Sequence, residues 1–236
     1  NGAKDTQSGL NSSAYSFSTI EGVYNWQTSN SKAFSSNGTF YVYVRDAVGT
    51  SKLISTVKID KIDKTAPTKP TVTKNTENWT NGDVRLTAQS SDNDSGIAEY
   101  SFSTEAGKYN WQTENTYIES QNSKLYVYSK DNAGNISEAT EIDLKTNKSS
   151  PIEAVNTEAT NDWVKQVVIT ANTSDKLSNL CEKPYSFSTK ECEYIWQAEN
   201  TKTITSNGIY YIYAKDSADN IVLLDTITVD NIDRTE

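Results

Sequence analysis

The sequence contains no histidine and no methionine, and only two cysteines among its 236 residues. Histidine is the commonest general base and the commonest metal ligand in proteins. Its absence excludes Ser-His-Asp and Cys-His catalytic centres, HExxH zinc sites and two-His-carboxylate iron sites. Paired acids such as Glu191 and Glu193 remain, but they lie in a hairpin turn rather than in a cleft. We therefore expect no enzymatic activity.

Long apolar runs and basic clusters are also missing. No run approaches the roughly 18 apolar residues that a membrane-spanning helix needs. The net charge is −9, and no cluster of Lys and Arg is long enough to neutralise a row of phosphates. Neither membrane insertion nor nucleic-acid binding is expected. The absence of methionine, with no signal-like segment at Asn1, indicates a processed product or a fragment of a longer protein.

Three short motifs each occur three times, at an interval of 85 residues. The repetition predicts three tandem repeats with boundaries in linkers rich in breaker residues, at 1–65, 66–149 and 150–236. Tyr-Ser-Phe-Ser-Thr begins at Tyr15, Tyr100 and Tyr185, Tyr-x-Trp-Gln begins at Tyr24, Tyr109 and Tyr194, and a Tyr-rich segment ending in Asp begins at Tyr41, Tyr126 and Tyr211.

The hydrophobic pattern inside a repeat has a period of two. Phe40, Val42 and Val44 alternate with tyrosines, as a half-buried strand requires, and no window carries a helical apolar stripe. The pattern predicts an all-β chain, a tandem array of antiparallel two-sheet sandwiches with about seven short strands in each repeat. Alignment of the repeats places Asn1 level with Ala88, so the first repeat is expected to lack its first two strands.

An ordered set of motifs carries a resemblance to a known family. The second repeat reads Trp-Thr-Asn-Gly-Asp-Val, Asp-Ser-Gly-Ile, Tyr-Ser-Phe-Ser and Lys-Asp-Asn-Ala-Gly-Asn in turn. This set resembles the tandem immunoglobulin-like repeats of bacterial cell-surface proteins and adhesins of Gram-positive type. It covers 66–149 in full, 150–236 as a diverged copy and 1–65 in its second part.

The resemblance implies an extracellular, cell-surface segment that acts as a stalk or spacer and as an adhesive module. Its expected partners are further immunoglobulin-like repeats of the same chain and a protein or glycan ligand. Two alternatives stay open, namely a carbohydrate-binding accessory module of a secreted hydrolase and a structural subunit of a virion or filament completed by strand donation. Fold alone does not decide among them.

Acidic residues gather in the three segments that meet at the first repeat junction. In a sandwich of this type, the second-to-third strand loop and the last hairpin loop lie beside the incoming linker. Ca²⁺ takes 6 to 8 oxygen ligands, so these segments predict a structural calcium site, the only cofactor expected. The alternative is that Asp92 and Asp131 only cap tight turns. The candidate ligands are Asp60, Asp63, Asp92, Asp94 and Asp131.

The second junction is a weaker candidate for a metal. Leu177 occupies the position of Asp94 there, and the linker at 145–150 contains no acidic residue. We therefore expect calcium at the first junction alone.

Alternation also predicts tyrosines on the outer face of the Tyr-rich strands. If Phe40, Val42 and Val44 face the core, the intervening tyrosines point the other way, where they can bind a glycan or a protein. The alternative is that these rings pack across strands and under lysine stems. The tyrosines concerned are Tyr41, Tyr43, Tyr126, Tyr128, Tyr211 and Tyr213.

Two further features belong to single repeats. Cys181 and Cys192 both lie in the third repeat, close in sequence, which predicts a local disulfide, with two free thiols as the alternative. The incomplete first repeat has two interpretations. Either a chain boundary fell inside the domain, or another subunit supplies the missing strand by strand exchange.

Overall fold

The computed structural model describes residues 4–152, 155–157 and 162–234. These residues form eighteen β-strands and no α-helix, so the predicted all-β class is confirmed. None of them belongs to a helix that could cross a membrane. The chain is a tandem array of immunoglobulin-like antiparallel sheets.

The first repeat consists of one four-stranded sheet in the order β2-β1-β3-β4. Its strands are β1 (Leu10–Ser18), β2 (Trp26–Gln27), β3 (Gly38–Asp46) and β4 (Ser51–Ile59).

The second repeat is a complete sandwich of two sheets, in the orders β5-β6-β9 and β11-β10-β7-β8. Its strands are β5 (Thr71–Lys74), β6 (Val84–Gln89), β7 (Ile97–Ser103), β8 (Trp111–Gln112), β9 (Thr116–Glu119), β10 (Lys124–Asp131) and β11 (Thr140–Asp143).

The third repeat has the same plan, with sheets in the orders β12-β13-β16 and β15-β14-β17-β18. Its strands are β12 (Val155–Thr157), β13 (Val167–Ala171), β14 (Leu180–Ser188), β15 (Trp196–Gln197), β16 (Thr201–Ile204), β17 (Gly208–Asp216) and β18 (Ile221–Val229).

Side-chain alternation explains why these segments form strands. In β6, Val84, Leu86 and Ala88 are buried, whereas Arg85 between them and Gln89 after them are exposed and Thr87 is half-buried. The buried residues meet Phe102, Leu125 and Val127 from the other sheet and form the core of the second repeat. The third repeat has an equivalent core around Ile169, Phe187 and Ile212. Burial of such apolar side chains is the main favourable term in folding.

The chain divides into two compact units that do not follow the repeat boundaries. One unit holds the first repeat and its linker up to Pro67, together with Ser91–Ile97 and Lys130–Ile136, two loops of the second repeat. The other unit holds the remainder of the second repeat and the third repeat.

The sheet of the first repeat has an uncovered inner face. Among residues 4–67, the structure contains no strand that corresponds to β5, β6 or β9. Ile54 in β4 is 49% exposed, whereas Leu224 at the same position of β18 is 8% exposed. Val42 is only half-buried, whereas the equivalent Val127 and Ile212 are 0% exposed. The inner side chains of this sheet therefore lack the second layer that covers them in the other repeats.

Candidate functional site

The first serines of the three Tyr-Ser-Phe-Ser-Thr motifs, Ser16, Ser101 and Ser186, are structural. They are 0% exposed, and each Oγ accepts a hydrogen bond from the backbone N–H nine residues later. This bond holds the following hairpin against the sheet in all three repeats. The pairs are Asn25 N to Ser16 Oγ at 2.8 Å, Asn110 N to Ser101 Oγ at 2.8 Å, and Ile195 N to Ser186 Oγ at 2.9 Å.

The glutamine of the Tyr-x-Trp-Gln motif has a similar role. In the second repeat, the Nε2 of Gln112 donates to the carbonyl oxygens of Glu114 at 2.7 Å and Thr116 at 2.8 Å. The amides of Gln27 and Gln197 make the same two bonds in their own repeats. The motifs that revealed the repeat therefore stabilise turns.

The predicted tyrosine surface is wrong for half of its members. Tyr43, Tyr128 and Tyr213 are only 5%, 7% and 4% exposed. The loop after the first strand of each sheet folds over them, and each hydroxyl accepts a bond from a backbone N–H of that loop. The donors are Gly22 at 2.7 Å, Gly107 at 2.8 Å and Cys192 at 2.8 Å. Tyr41, Tyr126 and Tyr211 are half-buried and remain the tyrosines of the outer face.

The predicted disulfide is also wrong, because Cys181 and Cys192 are free thiols. Cys181 lies at the start of β14, and Cys192 lies in the turn beyond its end at Ser188. Seven strand residues span about 23 Å, whereas a disulfide needs Cα atoms within about 7 Å. The extended strand between the two cysteines therefore holds their thiols apart, although the residues are close in sequence.

At the first junction, three of the five predicted ligands come together. Carboxylate oxygens of Asp63, Asp92 and Asp131 all lie within 4.8 Å of one another. Asp63 belongs to the linker after β4, Asp92 to the loop between β6 and β7, and Asp131 to the end of β10. All three belong to the same compact unit.

The other two predicted ligands lie outside this group. Asp60 pairs with Lys58 at 3.2 Å, because both side chains project from the exposed end of β4 and the linker. Asp94 is exposed and accepts a long bond of 3.5 Å from the Thr65 hydroxyl. Both line an open cavity of about 460 Å³ beside the three clustered carboxylates.

Asp92 and Asp131 are fixed by turn-capping hydrogen bonds. Asp92 Oδ1 accepts from the N–H groups of Asp94, Ser95 and Gly96 at 3.1, 2.8 and 2.9 Å. Asp131 Oδ1 accepts from the N–H groups of Ala133 and Asn135 at 2.9 and 2.8 Å. Both residues therefore cap tight turns, and these bonds position their carboxylates.

Asp131 is 1% exposed and carries a perturbed carboxyl group. Burial acts to raise its pKa, but hydrogen bonds from the Asn135 side chain and from the backbone of Asn135, Gly134 and Ala133 outweigh burial and hold the pKa below its ordinary value. This side chain therefore stays ionised inside the protein.

Asp63 is satisfied at one oxygen only. Its Oδ1 accepts from the Thr65 N–H at 2.9 Å, whereas its Oδ2 is shielded from solvent and has no hydrogen-bond donor. The nearby Oγ of Ser95 is likewise shielded and has no partner. Buried polar atoms are nearly always paired, so these two oxygens require an explanation.

The second junction is built around an amide. Asn147 is 1% exposed, and its Nδ2 points at oxygens from two loops of the third repeat. The acidic pattern in the sequence did not indicate this residue, because the linker here supplies a neutral hydrogen-bond donor rather than a carboxylate. The bonds from Nδ2 reach Asp175 Oδ1 at 3.2 Å, Asp175 Oδ2 at 3.2 Å, Ser178 Oγ at 3.0 Å and Asp216 Oδ2 at 3.1 Å.

Comparison with known proteins adds no close relative. No protein-family model and no curated protein matches the chain. Similar solved structures include the fibronectin(III)-like modules of Clostridium thermocellum CbhA, with 14% identity over 66% of this chain and 91% of that chain at a TM-score of 0.37. The D00-D0 domain of intimin has 12% identity over 68% and 100% at a TM-score of 0.33. The mouse nectin-like molecule 4 ectodomain has 15% identity over 80% and 72% at a TM-score of 0.32. No conclusion on ligand or activity follows from such similarities.

Proposed function

We propose that this chain is a non-catalytic, extracellular immunoglobulin-like segment of a bacterial surface protein, and that it acts as a stalk or spacer. The observation that carries the proposal is the buried Asn147 amide, which ties the linker of the second repeat to two loops of the third. A spacer transmits length and direction only when its linkers are stiff, and polar linkers without tertiary contacts are flexible.

The contacts around Asn147 support a stiff connection. Its backbone N–H donates to the Thr80 carbonyl at 2.9 Å, which anchors the linker on the second repeat. Its carbonyl accepts from the Asn220 amide at 2.9 Å, which anchors the linker on the third repeat. A direct bond from the Asn81 N–H to the Ala218 carbonyl at 3.0 Å joins the two repeats beside it.

The stiffness can be measured by ¹⁵N relaxation of the whole chain. If the junction is rigid, amides of the second and third repeats share one rotational diffusion tensor. Replacement Asn147→Ala is expected to give the two repeats separate tensors. Asn115→Ala is the matched control, because Asn115 donates to the Ala88 carbonyl at 3.0 Å within the second repeat. Independent tumbling of the two repeats in the unmodified chain would contradict the spacer role.

The alternative of a carbohydrate-binding module predicts a different result. The tyrosines left on the outer face are the half-buried Tyr41, Tyr126 and Tyr211, and sugar rings stack on the accessible faces of aromatic side chains. Under the spacer proposal, a glycan array shows no binding. Binding that Tyr126→Ala abolishes would replace the spacer by a carbohydrate-binding role.

A second role is favoured by the uncovered sheet of the first repeat. We propose that its inner face accepts a β-hairpin from outside the first repeat, with alternating aliphatic residues like Val84, Leu86 and Ala88 of β6. The exposed Ile54 and the half-buried Val42 would then gain the cover that their equivalents have in the other repeats.

A peptide with the sequence of residues 66–90 tests this role, because it contains β5 and β6, two of the three strands that cover the equivalent sheet in the second repeat. The peptide is expected to slow hydrogen exchange in β3 and β4. A peptide in which Val84 and Leu86 are replaced by Ser is the control. No protection by the unmodified peptide, together with a monomer in sedimentation, would contradict strand acceptance.

A further inference from the structure

Asp63 and Asn147 occupy equivalent positions in the two linkers. Each accepts a bond at Oδ1 from the N–H two residues later, Thr65 at 2.9 Å and Ser149 at 2.9 Å. Each faces a carboxylate from the second-to-third strand loop and one from the end of the Tyr-rich strand. These surrounding pairs are Asp92 with Asp131 and Asp175 with Asp216. One junction therefore places an oxygen where the other places an amide nitrogen.

The exchange of an amide nitrogen for a carboxylate oxygen replaces a neutral hydrogen-bond donor by a negatively charged acceptor. At the second junction, a neutral donor sits among the carboxylates and satisfies them. At the first junction, Asp63 adds a third negative charge within 4.8 Å of the other two. Among the residues that the structure describes, no Lys or Arg nitrogen lies within ion-pair distance of these three carboxylates. Like charges at this separation repel one another unless a cation lies between them.

The unpartnered atoms indicate where a cation would lie. Asp63 Oδ2 stands at the position of the Asn147 nitrogen, and it is buried without a donor. The Ser95 hydroxyl corresponds to that of Ser178, which accepts from Asn147, and it is also buried without a partner. The oxygens that surround the amide in the second junction are therefore present in the first, but the donor is missing.

We propose that the first junction binds one Ca²⁺ ion through Asp63, Asp92 and Asp131, and that this ion replaces the amide of Asn147. Ca²⁺ binds oxygens at 2.3–2.6 Å, so two ligands of one ion lie at most about 5 Å apart, and the three carboxylates meet this limit. All available ligands are oxygens, which favours Ca²⁺ over zinc. The ion site goes beyond the spacer role and does not depend on it.

The test is Ca²⁺ titration of the whole chain by calorimetry, with the metal alone as the ligand. We expect one site with a Kd of about 0.1 to 1 mM, the range of extracellular modules. Hydrogen exchange in segments 60–67, 91–97 and 130–136 is expected to slow when Ca²⁺ replaces EDTA.

Two substitutions exchange the junction types. Asp63→Asn should abolish Ca²⁺ binding, yet keep the first junction protected in EDTA, because its amide makes the bonds that Asn147 makes. Asn147→Asp should create a second Ca²⁺ site and make the second junction dependent on Ca²⁺. Asp60→Asn and Asp94→Asn are controls that keep binding, because these residues lie outside the cluster.

The outcomes separate this proposal from the spacer role. No Ca²⁺ binding at 10 mM by the unmodified chain, or full binding by Asp63→Asn, would overturn the ion site. Neither result alters the relaxation behaviour of the second and third repeats, on which the spacer role is tested.

Discussion

The phenylalanine of the Tyr-Ser-Phe-Ser-Thr motif is expected to stabilise the second repeat much more than the first. Phe102 is 2% exposed, and its ring stacks on Tyr117 of the opposite sheet at 5.1 Å and 10°. Phe17, its equivalent in the first repeat, is half-buried, and its nearest aromatic partner is Phe34, edge-on at 6.4 Å. The two residues share a motif and a strand position, and they differ in whether a second sheet covers them.

Replacement of each residue by alanine measures this difference. Removal of a fully buried phenylalanine costs about 3–5 kcal/mol, because transfer free energy is lost and a cavity remains. Phe102→Ala should therefore destabilise the second repeat by about this amount. A half-buried ring loses roughly half of a transfer free energy of about 3 kcal/mol and leaves no closed cavity, so Phe17→Ala should cost about 1–2 kcal/mol.

The assay is amide hydrogen exchange of the whole chain against urea concentration, analysed separately for peptides from β3, β10 and β17, one strand from each repeat. Phe187→Ala is an internal replicate, because Phe187 is 8% exposed and belongs to the core of the third repeat. It should resemble Phe102→Ala. Equal losses for Phe17 and Phe102 would refute the conclusion that the first repeat lacks a covering layer.

Three further predictions concern single side chains. Tyr128→Phe should destabilise the second repeat by about 0.5–1.5 kcal/mol in urea unfolding, because it removes the acceptor of the Gly107 N–H; an unchanged midpoint would contradict this. Burial acts to raise the pKa of Asp175, but bonds from Ser178, Leu177 and Asn147 outweigh it and hold the pKa below its ordinary value. The stabilisation from Asp175 is therefore present above the unfolded pKa of about 4 and is lost as the pH falls through the folded value. In thermal unfolding from pH 7 to 2, the melting temperature should fall less on acidification in Asp175→Asn than in the unmodified chain. Ellman titration of the unfolded, unreduced chain should give two thiols, and none would show that Cys181 and Cys192 are oxidised.

The fold was predictable because its signals are local and repeated. Alternation such as Val84, Leu86 and Ala88 predicts a strand without knowledge of its neighbours. The exposure of Tyr43 was not predictable in this way, because the loop that covers it is contributed by residues about twenty positions earlier in the chain. Alternation assigns a face to a side chain, but it does not show what lies on that face.

The candidate site was predictable in part for a similar reason. Strand order in a sandwich brings the linker and the two loops that carry Asp63, Asp92 and Asp131 to one end, and the loop positions in the sequence predicted this. The contribution of Asn147 was missed because a search for charge ignores neutral donors. The disulfide prediction was wrong because Cys181 and Cys192 are close in sequence but are held apart by an extended strand.

The equivalence of Asp63 and Asn147 has a consequence for how such arrays evolve. Codons for aspartate and asparagine differ by a single nucleotide, so one point mutation interconverts the two linker side chains without change of shape. Asp233 stands at the same position in the third repeat, since the Ile232 N–H before it bonds to Asn207 as the Ile62 N–H before Asp63 bonds to Asn37. If the first junction binds Ca²⁺ as proposed, duplication of repeats followed by such mutations can give each linker its own response to Ca²⁺, while the sandwiches between the linkers stay unaltered.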